Sequence, residues 1–474
     1  MGVGLTQALI SSRTSMNART KELSVLGQNV ANTSTDSYHR QSVVLESGVI
    51  IRSGEGFYGT GVKVTNVTRE FNSALEGSLQ GALSDDGFNK VYSSYLEQAE
   101  TLVSSNENSP LSDAIQTFAA DWQSVATSPE DSGLRSTLLS DAENVADIFN
   151  QEYQSLSDLK NNLAETSTGD GMIQTDVDKI NTLLDQIISS NREISAYETL
   201  KGAQQANDLR DQRDALVSEL SSLVDVSFVE KSNHAYEITV AGHVAIDGER
   251  PNLETADHVA FSFVAPPAAP AAPDTASVTW ASDGSAVAAS GGELLGAVEA
   301  RAYIQSQMAD LADFATTFAG VINTAHAAGW DLQDPAVQGA AMFDATTAGA
   351  MTVSITDPKL VAASGDQYEK GNGDNALAVW DAMNTAVAAL GNNTLLNNAD
   401  RWVDGIAANT ATSLELYGTS TAAVSMYSNA IQEESGVSLD EELSDMLVVQ
   451  RAYQASAKLM STINSMMGTV MDLV

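Results

Sequence analysis

Two stretches at opposite ends of this 474-residue chain place mainly apolar side chains at spacings that alternate between four and three. In the first, the positions are Leu5, Leu9, Ser12, Met16, Arg19, Leu23, Leu26 and Val30. In the second they are Leu439, Leu443, Met446, Gln450, Tyr453, Ala457, Met460, Asn464, Met467, Met471 and Val474. This alternation keeps every position on one stripe of a helix, the a/d seam of a coiled coil. At the helical rise, 5–30 spans about 39 Å and 439–474 about 54 Å. Ser438 with Glu441 three residues on forms a capping box for the second helix. Asp440, Glu441 and Glu442 then occupy its first turn, where the helix dipole favours acid. Five of the 13 methionines lie in this last helix, and methionine packs adaptably against partners of varied shape. A one-stripe helix with Ser12, Arg19, Gln450 and Asn464 in its seam gains little alone. Burial contributes roughly 1.5–3 kcal/mol per large side chain. Backbone ordering costs about 1–2 kcal/mol per residue. The expectation is weak order in isolation and firm order on assembly.

Between the ends the periodicity changes twice. NTSTDSYHRQ, after Val30, is a loop by composition. Gly54, Gly56 and Gly59 fit GxGxxG, but they lead into alternating Val62, Val64 and Val67. That is a strand pattern, whereas a dinucleotide site needs the glycines to open a helix; a β-hairpin or bulge is expected. Helical periods return at Leu75–Leu83 and at Tyr92–Val103, then over 110–127, 134–165, 172–200 and 203–224. From about 225 the segments DVSFV, YEITVAGHVAI, HVAFSFV and SVTWA read as strands, interrupted by the stiff APPAAPAAP at 265–273. A helix follows at 294–327, a short strand at 351–355, and helix again from about 375. The fold class is mainly α with an inserted β unit. The expected organisation is nested: 1–69 with 410–474 as a terminal coiled-coil unit, 70–227 with 291–409 as a helical middle, and 228–290 as a β-rich outer insert.

The chain carries 23 basic against 62 acidic residues, a net charge of −39, which disfavours nucleic acid and anionic lipid as partners. Residues 1–69 run against this trend, with seven basic and four acidic side chains, and suit acidic surfaces of related chains. There is no cysteine, so disulfides, thiolate metal sites and cysteine nucleophiles are excluded. No apolar run reaches the ~18–20 residues of a membrane span, and the N-terminus lacks the pattern of a cleaved signal peptide. The five histidines His39, His234, His243, His258 and His326 show no metal-ligand spacing and read as ordinary core or surface residues. Asp208, Asp211 and Asp214 stand at i, i+3 and i+6. The expected arrangement is a helix in which Arg210 and Arg213 neutralise these acids and their neighbours, with no bound metal. No nucleophile elbow, phosphate loop or calcium loop occurs, so neither an enzyme nor a cofactor is expected.

Gln28-Asn29-Val30 followed by ANTSTDSYHRQ resembles the signature loop of flagellar rod, hook and hook-associated proteins, matched at Asn29, Ala31, Asn32, Thr35, Tyr38, Arg40 and Gln41. Ser37 stands where that signature has glycine. Four further segments resemble the hook-associated protein 1 family. They are 109–139 with Phe118, Trp122, Pro129 and Arg135, then 203–226, then 292–329 with Asn323 and His326, and finally 436–460. The resemblance implies a non-enzymatic adaptor at the hook–filament junction, with terminal helices that polymerise into the inner tube wall as a homo-oligomeric ring. It implies contact with hook protein on one side and a second junction protein on the other. It also implies an export chaperone on the C-terminal helix, passage through the flagellar export apparatus without a cleaved signal, and an extracellular location. The implied subunit-interface residues are Leu5, Leu9, Met16, Leu23, Leu26, Val30, Leu443, Met446, Tyr453, Met460, Met467 and Met471, with Asn32, Tyr38, Arg40 and Gln41 fixing the loop. A hook or rod protein is the alternative within this class, and its middle would be mostly β. A wall hydrolase is the alternative outside it, and it would need a catalytic site.

Overall fold

The computed structural model describes all residues except 1, 36, 54–55, 105–108, 165–170, 202–203, 249–255, 265–274 and 473–474. The Pro/Ala stretch, Gly54 and Val474 therefore lie outside the described residues, as does Asp36 beside Ser37. Helix α1 (Gly2–Ala31) leads into strands β1 (Gln41–Ser47), β2 (Ile50–Ser53), β3 (Gly56–Gly59) and β4 (Val62–Arg69). Helices α2 (Ser73–Val103), α3 (Pro110–Thr127), α4 (Ser132–Ala164), α5 (Met172–Lys201) and α6 (Asn207–Leu223) follow. Then come β5 (Val226–Glu230), β6 (Tyr236–Val240), β7 (His243–Ile246), β8 (Val259–Val264) and β9 (Thr275–Trp280). Helix α7 (Gly292–His326), short strands β10 (Phe343–Asp344) and β11 (Thr352–Val353), and helices α8 (Asp374–Met383), α9 (Leu395–Ser435) and α10 (Leu439–Asp472) complete the chain.

The helix boundaries follow local chemistry. Ser109 caps α3 by accepting the Ser112 N–H, and Pro110 occupies the first helical turn, where its missing N–H costs nothing. Asn72 caps α2 through the N–H groups of Ala74 and Leu75, and Thr394 caps α9 through that of Asn397.

Two pairs of long helices pack antiparallel, α1 with α10 and α2 with α9. In the first pair, Ser15 of α1 bonds Ser456 of α10 at 3.0 Å, and Asn29 bonds Glu442 at 2.9 Å. These contacts are 14 residues apart on each helix, so the register holds over two heptads. In the second pair, Asn72 of α2 bonds Glu434 of α9 at 2.9 Å, while Asp86 accepts from Ser420 at 3.2 Å and Thr421 at 2.7 Å. The antiparallel β1–β4 ribbon lies along α1, where Thr14 donates to the Thr60 carbonyl at 3.2 Å and Gln7 to that of Gly59 at 3.2 Å. A Cβ on Gly61, whose φ is +96°, would collide with Thr14 and Ser11, so glycine permits this close crossing. The glycines at 56 and 59 belong to the β2–β3 hairpin, as the strand reading expected.

Two hydrophobic cores fill the helical body. One joins Phe118, Trp122, Phe149, Phe314, Phe318 and Phe343 from α3, α4, α7 and β10, reaching α8 through Val379. The other joins α2, α5, α6 and the first half of α7. It also takes in Tyr236, Ile238, Val240, Ile246, Val259 and Trp280. The β segment is thus joined to the helical core through its inward residues. The reason is the alternation in β6, whose Tyr236, Ile238 and Val240 are all buried in this core, with Tyr236 against Asn191 of α5 and Arg213 of α6.

Candidate assembly site at the junction of the terminal helices

The loop after α1 is held by one buried amide. Asn29 is 0% exposed, and its Nδ2 donates to the Gln41 carbonyl and to Glu442, both at 2.9 Å. Its Oδ1 accepts the Gln41 N–H at 3.0 Å and the Tyr38 hydroxyl at 2.8 Å. All the hydrogen-bonding capacity of the amide is used, which is the condition for burying it without penalty. Arg40 reaches Glu442 at 3.3 Å and Glu441 at 3.5 Å, and its backbone N–H donates to the Ser435 carbonyl at 2.9 Å. The end of α1, the loop, and the α9–α10 turn are thereby tied at one point. Burial, and then the nearby Asp208, Asp211 and Glu442 carboxylates, push the Tyr38 hydroxyl pKa up, so it stays a donor.

The same loop docks on α6. Gln41 donates to Asp208 at 2.9 Å and accepts from Asn207 at 3.2 Å. His39 bonds Asp211 at 2.9 Å and Glu76 at 3.2 Å. Arg69, at the end of β4, bridges Asp211 at 2.6 Å and Asp214 at 2.5 Å and lies over the Phe71 ring. Burial alone would lower the His39 pKa, but hydrogen bonds to Asp211 and Glu76 outweigh it and push it up to about 9. The imidazole is therefore cationic at neutral pH, and the cluster sets two cations against three carboxylates. His39, Asp211 and Asp214 have the donor types and closeness of a metal site. The guanidinium of Arg69 supplies the positive charge at that point, so the residues present do not call for a metal.

Reading α6 in isolation assigned its charges to the wrong partners. Arg210 pairs with Glu198 at 2.8 Å and Glu230 at 2.9 Å, and Arg213 stacks on Tyr236 while bonding Asn191 and the His234 carbonyl. Asp208, Asp211 and Asp214 turn instead to the loop and β4. His39 likewise belongs to this cluster and is not a plain core histidine. The available signal was the meeting of a basic N-terminal segment with three acids on one helical face.

On α10 the covered stripe is Glu442, Met446, Val449, Tyr453, Ser456, Met460, Ile463 and Met467. It shares Met446, Tyr453, Met460 and Met467 with the expected seam but is shifted by one residue at the alternate positions, leaving Leu443 48% and Met471 76% exposed. Binary patterning favours Leu443 over Glu442. The partners Arg40 and Asn29, and Ser15 for Ser456, reverse that choice. On α1, Leu5, Leu9, Met16, Leu23, Leu26 and Val30 are half-buried, as are Asn32, Tyr38 and Arg40 in the loop, while Gln41 is buried. Asn32 works locally, donating to the Gln28 carbonyl at 3.0 Å.

The model of the flagellar hook-associated protein FlgK helical domain matches residues 96–343, more than half of the chain. The chain belongs to this family. It is accordingly a hook-associated, junction-type structural component of the flagellum, and its helical middle sets it apart from the hook or rod alternative. Residues 428–473 match the model of the flagellar basal body rod FlgEFG protein C-terminal region. Flagellar hook-associated protein 1 of Bacillus subtilis strain 168 is 28% identical over 98% of this chain and 97% of its own length. The Escherichia coli K12 protein of the same name is 27% identical over 73% of this chain and 64% of its own length. The flagellar hook junction protein FlgK from Burkholderia pseudomallei shares the fold, with a TM-score of 0.63 over 75% of this chain and 99% of that one at 16% identity. Among the described residues, no helix is long and apolar enough to cross a membrane.

Proposed function

We propose that this family member is a non-enzymatic adaptor that joins hook to filament by packing its terminal helices against neighbouring copies in a ring. The observation that carries the reading is the two-sided apolar character of α10. One stripe is covered by α1. To either side of that stripe, Leu443, Leu447, Leu459, Met466 and Met471 are 48–76% exposed in the single chain. Large apolar side chains left open on both sides of a covered stripe are the mark of an assembly surface.

In this reading 1–69 with 410–474 forms the axial unit, 70–227 with 291–409 the helical middle, and 228–290 an outer element. Leu5, Leu9, Met16, Leu23, Leu26, Val30, Met446, Tyr453, Met460 and Met467 set the packing of the terminal pair, and Leu443 and Met471 meet the next copy. Hook protein lies on one side and a second junction protein on the other. Before assembly, an export chaperone covers the C-terminal helix, and the chain leaves through the flagellar export apparatus with no cleaved signal peptide, to function outside the cell. Deleting the gene tests the reading by electron microscopy and a flagellin assay of the medium. Intact hooks without filaments, with flagellin lost to the medium, are expected. Absent hooks would point to a rod or hook role, and normal filaments would refute it.

A further inference from the structure

We propose that one face of the β2–β3 hairpin is a knob that seats in a groove at the base of the α1–α10 pair of a second copy of this chain. The inference deepens the junction reading and rests on it. Ile50, Arg52 and Phe57 share that face. Ile50 and Phe57 are 67% and 76% exposed, with Arg52 lying 5.9 Å from the Phe57 ring centre, and Val49 and Ile51 beside them are 76% and 45% exposed. Large apolar side chains this exposed on a two-stranded hairpin need a partner surface. The groove has a volume of about 170 Å³ between α1, β1 and α10. Val25, Leu26, Val43, Val448 and Val449 supply its apolar wall. Val448 is 62% exposed there. Of the charged residues lining it, Glu22 is paired with Arg19 and Arg40 with Glu442, which leaves Asp445 as the acid that Arg52 complements. The fit is thus apolar against apolar with opposite charges beside it.

The chain cannot fill its own groove. The hairpin is fixed along α1 by the Gln7–Gly59 and Thr14–Thr60 contacts, whereas the groove lies at Val25. Eight residues of ribbon separate Val43 from Ile51, about 26 Å at the strand rise. The occupant is therefore another molecule. A knob and a groove on different faces of one chain make a head-to-tail contact, which propagates around a ring or helix, unlike a self-complementary dimer patch.

The test uses the absence of native cysteine. Phe57→Cys and Val448→Cys are placed together in the full chain, in cells lacking the wild-type gene, and isolated flagella are oxidised with copper phenanthroline. The expected result is a ladder of linked copies of this chain, absent from either single variant. Several outcomes overturn the proposal while leaving the junction reading intact: filaments present with the chain monomeric, dimers from Phe57→Cys alone, or a link to a different protein identified by mass spectrometry. If the cysteine pair blocks filament growth, Arg52→Glu and Asp445→Arg take its place. Each alone is expected to lower the filamented fraction at least tenfold, and the two together to restore it. No recovery in the double variant overturns the contact. Filaments in the gene-deleted strain would instead remove the junction reading itself.

Discussion

Asp211→Asn removes one charge from the point where the loop after α1 meets the helical body. Asp211 accepts from His39 Nδ1 at 2.9 Å, from the His39 N–H at 3.3 Å and from Arg69 at 2.6 Å, and its side chain is 7% exposed. Asparagine keeps the shape and one acceptor. It leaves Arg69 to Asp214 and His39 to Glu76, so two charge-assisted bonds weaken without either cation being stranded. The expected loss is about 2–4 kcal/mol of docking free energy at pH 7. The wild-type cluster is also pH-dependent in a defined direction. The His39 pKa is raised on folding from 6.5 to about 9, so its stabilisation is complete below pH 6.5 and is lost as pH rises through 9. At about 1.36 kcal/mol per tenfold change, the stabilisation is on the order of 3 kcal/mol. With Asp211 neutralised, His39 keeps only Glu76, and that pH-dependent loss should shrink by at least half. Amide hydrogen exchange by mass spectrometry over 37–47, from pH 6 to 9.5, reads both quantities. Equal protection in variant and wild type, or an unchanged pH slope, would refute the reasoning.

Glu152 is buried, both its carboxylate oxygens lack a partner, and burial pushes its pKa up to about 8. An acid with a raised folded pKa loses stability as pH climbs from 4.5 through 8, so Glu152→Met should gain about 2–4 kcal/mol at pH 8 and little at pH 4 by chemical denaturation. A Cβ on Gly87 of α2 would strike the Ser222 carbonyl of α6, and Gly87→Ala should cost about 1–3 kcal/mol, seen as a lower Tm. Leu23→Asp and Tyr453→Asp should block incorporation into flagella while the Tm of the helical body stays within a few degrees. Normal incorporation of either would remove the proposed role of the terminal pair.

Much of the architecture was readable from local chemistry. The α3 boundaries follow from Ser109, Pro110 and the apolar period to Val125, and β6 follows from strict alternation at Tyr236, Ile238 and Val240. The terminal 4–3 pattern gave the pairing of α1 with α10, because a stripe that regular has few other ways to leave water. Of the residues named for the loop, Tyr38, Arg40 and Gln41 meet at the buried amide, but the amide is that of Asn29 and not of Asn32, which donates to the Gln28 carbonyl. Less legible was the face of α10 that turns inward. Two adjacent rows are both apolar enough to serve, and Glu442 and Ser456 look like surface residues until Arg40, Asn29 and Ser15 are brought beside them.

The sequence by itself determined most of the elements and the helical pairing at the ends, since each depends on near neighbours or on a regular stripe. Tertiary structure alone decided the charge partners. Arg210 stands one turn from Asp214 and Arg213 directly precedes it, yet they bind Glu198, Glu230 and Tyr236, while Arg69, about 140 residues earlier, takes the acids. On an exposed helix, near neighbours pair for a few tenths of a kcal/mol. Once a charge is buried its solvation loss is several kcal/mol, and it pairs with whichever opposite charge the fold buries beside it.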